Sequence, residues 1–256
     1  MNNRLLLRRI KSGSNFDADY QAVLDLANAN SFVLPSSGQQ ILQNQLVLDL
    51  KSAGVWSKLD VFAVFAHDAD KNFSLIDWKR ASLMTYANAS GMTQSTTGLK
   101  TDTQNNSVID TNYNPVLDAV NISTTSISMG IWLNDLIGLN REIGNSTGSL
   151  KLQFSNNDNR ILTGSSTFRE GPVIGLNHIN RSSANNVEHY TNGVEARSAI
   201  LPTEPITNNN AFIFHAQASV IGPASGAEQS FAFYAGDLSL EHSDFYNALN
   251  NYKIAI

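Results

Sequence analysis

The chain contains no cysteine, so neither disulfides nor thiolate metal sites are available to it, and cysteine usage leaves its compartment open. Charge is sparse as well: 17 Lys and Arg face 22 Asp and Glu, for a net charge of −5. The densest basic run is Arg8-Arg9-Ile10-Lys11. Phosphate backbones need a concentrated basic face, which argues against nucleic acid as the main partner. No run approaches the roughly 18 apolar residues of a membrane span. The start, Met1 to Arg9, has too short an apolar core and no small-residue cleavage site for a secretory signal, so the mature protein is expected to begin at or near Met1.

What is present is enough for a full core. With 256 residues, 42% of them hydrophobic, one main domain with an appendage is expected. Asp17 can cap a helix over 18–30, with Tyr20, Val23, Leu24 and Ala27 on one stripe. Ser36 and Ser37, three residues before Gln39 and Gln40, have capping-box spacing, and Leu42, Leu46, Leu50 and Ala53 then share a face up to Gly54. Two short amphipathic helices cannot form a core alone, so they are expected to pack on the rest of the domain or on a neighbouring chain.

From Leu59 the apolar period changes to two. Ile127, Met129, Ile131 and Leu133 alternate with Ser126, Ser128, Gly130 and Trp132; Leu150, Leu152 and Phe154 with Lys151 and Gln153; Phe212 and Phe214 with Ile213 and His215; Phe231 and Phe233 with Ala232 and Tyr234. Each reads as a half-buried strand. Asn192-Gly193 is the strongest hairpin signal. Many short strands joined by polar turns, without long intervening helices, predict an antiparallel β-sandwich, and 243–252 a short closing helix.

Chemistry is harder to find. His67-Asp68-Ala69-Asp70-Lys71-Asn72 offers oxygens at alternate positions, as calcium loops do, but Phe73 stands where such a loop wants Gly and Lys79 where it wants the closing Glu. No metal or cofactor is therefore expected. No Glu-x-Asp-x-x-Glu pattern occurs, and Glu188 and Glu195, diagonal on the Asn192-Gly193 hairpin, read as solvated surface. The five histidines lack zinc-ligand spacing, and no Gly-x-Ser-x-Gly elbow is present. The expectation is of a non-enzymatic protein. A sugar site remains open, with Trp132 and Tyr190 as aromatic platforms beside the amides and carboxylate of Asn156, Asn157 and Asp158. The strip Leu5, Leu6, Leu7, Arg8 and Arg9 is expected to order only against another subunit, as an anchor.

The runs 20–24, Leu34-Pro35-Ser36, 46–51, Gly54-Val55-Trp56-Ser57-Lys58-Leu59-Asp60 through Ala66, and Ile76-Asp77-Trp78-Lys79 resemble a family of bacteriophage virion proteins frequent in phages of Bacteroidota. Further matches are 107–115, 175–181, 233–240 and 244–249. The resemblance implies a two-helix lead-in and a concanavalin A-like, jelly-roll sandwich of lectin type. It supplies no catalytic motif. On this reading residues 1–16 are the attachment segment, 17–58 the helical lead-in and 59–256 the sandwich. It implies a virion location in tail, collar or fibre, with other virion proteins and further copies of the chain as partners. The alternative is a receptor-binding protein that holds a host surface glycan.

Overall fold

The change of period at Leu59 is where the first strand begins. In the computed structural model, which describes residues 16–87, 91–101, 107–145, 147, 149–154, 159–163, 171–214 and 225–256, every strand pair among the described residues is antiparallel. The chain opens with α1 (Ala18–Ala29), α2 (Ser37–Ser52) and the single turn α3 (Val55–Lys58). Then come β1 (Leu59–Val64), β2 (Ile76–Asp77), β3 (Ser82–Leu83), β4 (Thr85–Ala87), β5 (Met92–Gln94), β6 (Leu99–Thr101), β7 (Val108–Asp110) and β8 (Ile127–Leu133). The second half holds β9 (Arg141–Asn145), β10 (Leu150–Gln153), β11 (Arg160–Ile161), β12 (Gly175–Arg181), β13 (Asn186–Thr191), β14 (Val194–Ile200), β15 (Ala211–Ile213), β16 (Gln229–Ala235) and the closing α4 (His242–Lys253).

Ten strands form one sheet, in the order β14-β13-β12-β8-β16-β1-β2-β3 with the β5–β6 pair joined through β16, and six form the other, β11-β10-β9-β15-β7-β4. Asn192 and Gly193 turn β13 into β14 with φ of 51° and 76°, the positive values that such a tight hairpin requires. The fold is mainly β, an antiparallel sandwich with helices before and after it.

The central strands of the larger sheet are buried on both faces, whereas its edge strand β14 is exposed. Val61, Ala63, Met129, Ile131, Ile179, Ala232 and Tyr234 face the smaller sheet. Phe62, Val64, Trp132, Phe231 and Phe233 face the other way and pack with Tyr20, Leu46, Leu50, Phe245 and Leu249 of the helices. All seven residues of β8 are therefore buried, as are all seven of β16. This corrects the expectation of half-buried strands: the helices cover the face that alternation alone assigns to solvent. Burying each of these phenylalanines stabilises the layer by about 1.5–3 kcal/mol.

The helix caps form largely as their residues predict. Asp17 accepts from Asp19 N at 3.0 Å and Ser36 Oγ from Gln39 N at 3.3 Å. The reciprocal half of the capping box does not form, because Gln39 Nε2 donates instead to Tyr252 Oη at 2.5 Å. Tyr252 Oη donates to Ala66 O at 2.6 Å, and Gln43 joins it to Tyr20, so one buried polar knot ties α1, α2 and α4 to the residues just beyond β1. A satisfied network of this kind fixes how the helices sit on the sheet as well as that they do.

Inside the sandwich lies Arg181, fully buried at the end of β12. Its guanidinium donates to the carbonyls of Ile161, Leu162, Ser183, Ala184, Leu201 and Pro202 at 3.0–3.4 Å.

Candidate functional site

At the junction between helices and sandwich, Gly54 takes φ 76°, a left-handed conformation that ends α2 and turns the chain into α3. Trp56 then packs edge-on to Phe62 at 6.2 Å, and Lys79 lies 5.6 Å from the Trp56 ring centroid while donating to its carbonyl at 2.8 Å. Between these parts opens a cavity of about 220 Å³ lined by Ser57, Leu59, Asp60, Lys79, Arg80, Asp118, Val120 and Asn121.

A relay of buried polar contacts shapes its walls. Asp77, wholly buried, accepts from Phe62 N and Lys79 N at 3.0 Å and from Arg80 Nε at 2.5 Å. Arg80 also reaches Thr111 O at 2.6 Å and lies 5.2 Å from the ring centroid of Tyr113. Tyr113 Oη donates to Asp60 Oδ2 at 2.8 Å. Asp60, in turn, accepts from the backbone N–H groups of Val120, Asn121 and Ile122 at 3.0–3.2 Å, which fixes the loop forming the far wall. Burial raises the Asp77 carboxyl above the usual carboxylate range although Arg80 opposes it, and burial with the Asp60 charge keeps the Tyr113 hydroxyl protonated. Asp60 and Arg80 are thus largely committed to structure. Asp118, exposed, accepts from Asn114 N at 2.8 Å, and Lys79 is half-buried; Val116, Leu117 and Val120 are exposed on the same loop as Asp118.

The residues proposed from sequence for sugar binding do not gather here. Trp132 is 7% exposed and stacks on Tyr246 of α4, while Tyr190 is 3% exposed and lies between His178 and His242. Neither ring offers a face to solvent, because α4 lies over both. Asn156, Asn157 and Asp158, and the anchor residues Leu5, Leu6, Leu7, Arg8 and Arg9, lie outside the described residues. In the 67–72 loop, Asp68 accepts from Ser36 N at 3.0 Å and Asp70 from Asn72 N and Phe73 N, so both carboxylates serve the backbone.

Glu188 is buried rather than a solvated surface group, whereas Glu195, opposite Tyr190 on the neighbouring strand, is exposed as expected. Its carboxylate and that of Asp237 both accept from Asn180 Nδ2, each at 2.8 Å. Two carboxylates some fifty residues apart in sequence are thereby held two hydrogen bonds apart. A search for carboxylates at fixed sequence spacing does not find such a pair. The cavity at the junction was missed for a similar reason, although the runs 54–66 and 76–79 contain four of the residues that line it.

No family model matches the chain, and no curated protein matches its sequence. Solved structures do share its form. Trypanosoma rangeli sialidase aligns with a TM-score of 0.49 and 10% identity over 85% of this chain, and the chain spans 40% of that one. Domain 4 of AbnA, a GH43 extracellular arabinanase from Geobacillus stearothermophilus, aligns at 0.43 and 15% identity over 75% of this chain and 98% of that chain. The receptor-binding domain of botulinum neurotoxin type G aligns at 0.48 and 14% identity over 75% of this chain and 51% of that chain. These findings correct the expectation of a non-enzymatic protein, since chains named as a sialidase and as part of an arabinanase are built on a similar sandwich. The expectation rested on the lack of a linear carboxylate motif, of a Gly-x-Ser-x-Gly elbow and of zinc-ligand spacing.

Proposed function

We propose that this chain is a module on the outside of a bacteriophage particle and that its junction cavity recognises a host surface glycan. The observation that carries the reading is the cavity itself. Its volume of about 220 Å³ suits a single sugar ring, with a carboxylate at Asp118, an ammonium at Lys79 and an amide at Asn121 beside the apolar Leu59 and Val120. Sugars are held by a few placed polar groups set against an apolar wall. The place on a virion rests on the resemblance of several runs, 54–66 and 76–79 among them, to phage virion proteins, and those two runs supply Ser57, Leu59, Asp60 and Lys79 of the cavity lining.

The test is a glycan array probed with the intact chain, followed by titration of any hit against Asp118→Ala and Lys79→Ala. Both variants are expected to weaken binding at least about tenfold, a loss on the order of 1.4 kcal/mol, and circular dichroism of each shows that it is folded, since Lys79 also donates to Trp56 O and Asp118 accepts from Asn114 N. An empty array, or a hit that both variants bind normally, rejects the cavity as the site. Mass spectrometry of purified particles tests the location.

A further inference from the structure

The loop 114–121, whose residues Asp118, Val120 and Asn121 line the junction cavity, also carries three exposed aliphatic side chains. Val116 is 46%, Leu117 71% and Val120 86% exposed. Among the described residues this is the one place where three large exposed hydrophobic side chains fall within five positions. Single ones are ordinary on a protein surface, whereas a contiguous group marks a contact. The exposure is built into the loop. Asn114 O accepts from Leu117 N at 3.0 Å and from Asp118 N at 2.8 Å, Asn114 Oδ1 accepts from Val116 N at 2.9 Å, and Asn114 Nδ2 donates to Asn208 Oδ1 at 2.7 Å. At the other end Asp60 accepts from Val120 N, Asn121 N and Ile122 N, while Ala119 and Ile122 pack on the sandwich core. With the backbone fixed at both ends and Ala119 and Ile122 taking the inward positions, the three aliphatic side chains are held outward.

Val120 belongs to two surfaces at once, since it lines the cavity and is also the most exposed of the three, so whatever fills the cavity adjoins the apolar group. The cavity's own offer is polar. Lys79 Nζ makes one hydrogen bond among the described residues, to Trp56 O, and an ammonium has three protons to give. Asn121 Nδ2 is taken by Leu59 O and Asp60 Oδ1, which leaves the side-chain carbonyl of Asn121 as an acceptor. On the reading of this cavity as a glycan site, we propose that its ligand is a glycolipid, with the sugar ring held by Lys79, Asp118 and Asn121 and the first carbons of the lipid chain laid on Val120, Leu117 and Val116. The extent of the apolar surface decides the class. A small substituent such as an acetyl group covers one of these side chains, whereas all three need a chain of several methylenes.

The probes are the methyl and octyl β-glycosides of glucose, galactose and N-acetylglucosamine, titrated into the intact chain below the micelle concentration of the octyl compounds. At least one octyl glycoside is expected to bind at least about thirtyfold more tightly than its methyl counterpart, the gain from burying roughly three methylenes. Val116→Ser combined with Leu117→Ser should cut that advantage to about threefold or less, and Lys79→Ala should weaken the methyl and octyl compounds alike. Equal affinities for methyl and octyl glycosides, both weakened in Lys79→Ala, overturn the glycolipid while leaving the cavity a sugar site. Octyl binding that Lys79→Ala does not weaken places a detergent on the loop alone and overturns the joint site. No binding by any of the probes rejects the cavity reading together with this one. Sedimentation of the intact chain covers the remaining occupant: a dimer that the Val116→Ser, Leu117→Ser variant dissolves would put a second copy on the loop and overturn the lipid. Circular dichroism of each variant confirms that it is folded.

Discussion

Arg80 meets Asp77 at 2.5 Å, with the guanidinium side chain 24% exposed and the carboxylate side chain not exposed at all. The pair is thus one-sided. Asp77 has no water to fall back on, whereas Arg80 does. Arg80→Ala is expected to destabilise the chain by about 3–5 kcal/mol, because it leaves a buried carboxylate without its cation. Arg80→Ala combined with Asp77→Asn should recover part of that loss. Urea unfolding of the two variants and Asp77→Asn checks both statements, and full additivity would contradict the coupling.

Glu142 is wholly buried, and burial pushes its carboxyl up to about 7. Unfolded glutamate titrates near 4.5, so between these values the folded chain holds a proton that the unfolded chain has released. Stability contributed by this group is present below pH 4.5 and is lost as pH rises towards 7, by roughly 3 kcal/mol in all. Glu142→Gln should remove this slope. The measurement is the difference in unfolding free energy between the two proteins from pH 4 to 8.

Three buried histidines act with the opposite sign. Burial lowers His67 and His189 to about 4 and His178 well below 6.5. Their neutral forms stabilise the fold fully above pH 6.5, and that contribution is lost as pH falls through 6.5 towards 4. Neither ring nitrogen of His178 has a hydrogen-bond partner among the described residues, and the ring lies 4.8 Å from Tyr190 and 5.9 Å from Phe233. His178→Phe should therefore leave stability at pH 7 equal or higher and make acid unfolding shallower. A steeper acid slope in that variant would contradict the account.

Gly130 marks a close approach within β8. A Cβ there would come within 2.4 Å of His178 Cβ and 2.6 Å of Asn177 O on the neighbouring strand. Gly130→Ala is expected to cost at least about 1–3 kcal/mol through overpacking. The larger sheet should bear that loss, so hydrogen exchange at β8 and β12 should quicken more than at β9 and β10.

Local signals in this sequence proved sound where they concern a segment on its own. The caps at Asp17 and Ser36, the onset of strand at Leu59 and the Asn192-Gly193 turn depend on neighbours a few residues away, and each is in place. Exposure was misjudged where a distant element decides it. Trp132 and Tyr190 sit on the phase of their strands that faces away from the smaller sheet, and only the return of α4, more than fifty residues beyond Tyr190, closes over them. The same holds for the Glu188–Asn180–Asp237 contact and for the junction cavity, whose far wall is brought by Asp60 from residues 118–121. Period-two alternation says which face a residue is on, not what later covers that face.

Arg181 has a consequence for how one end of the sandwich comes together. Its six carbonyl partners belong to three separate bends of the chain, at 161–162, 183–184 and 201–202. A guanidinium stripped of water with only one bend in place would be far less stable than one still hydrated. The three bends must consequently arrive together, so this end closes as a single cooperative unit. Partly assembled forms, with one bend docked and two loose, should be scarce even under mildly denaturing conditions.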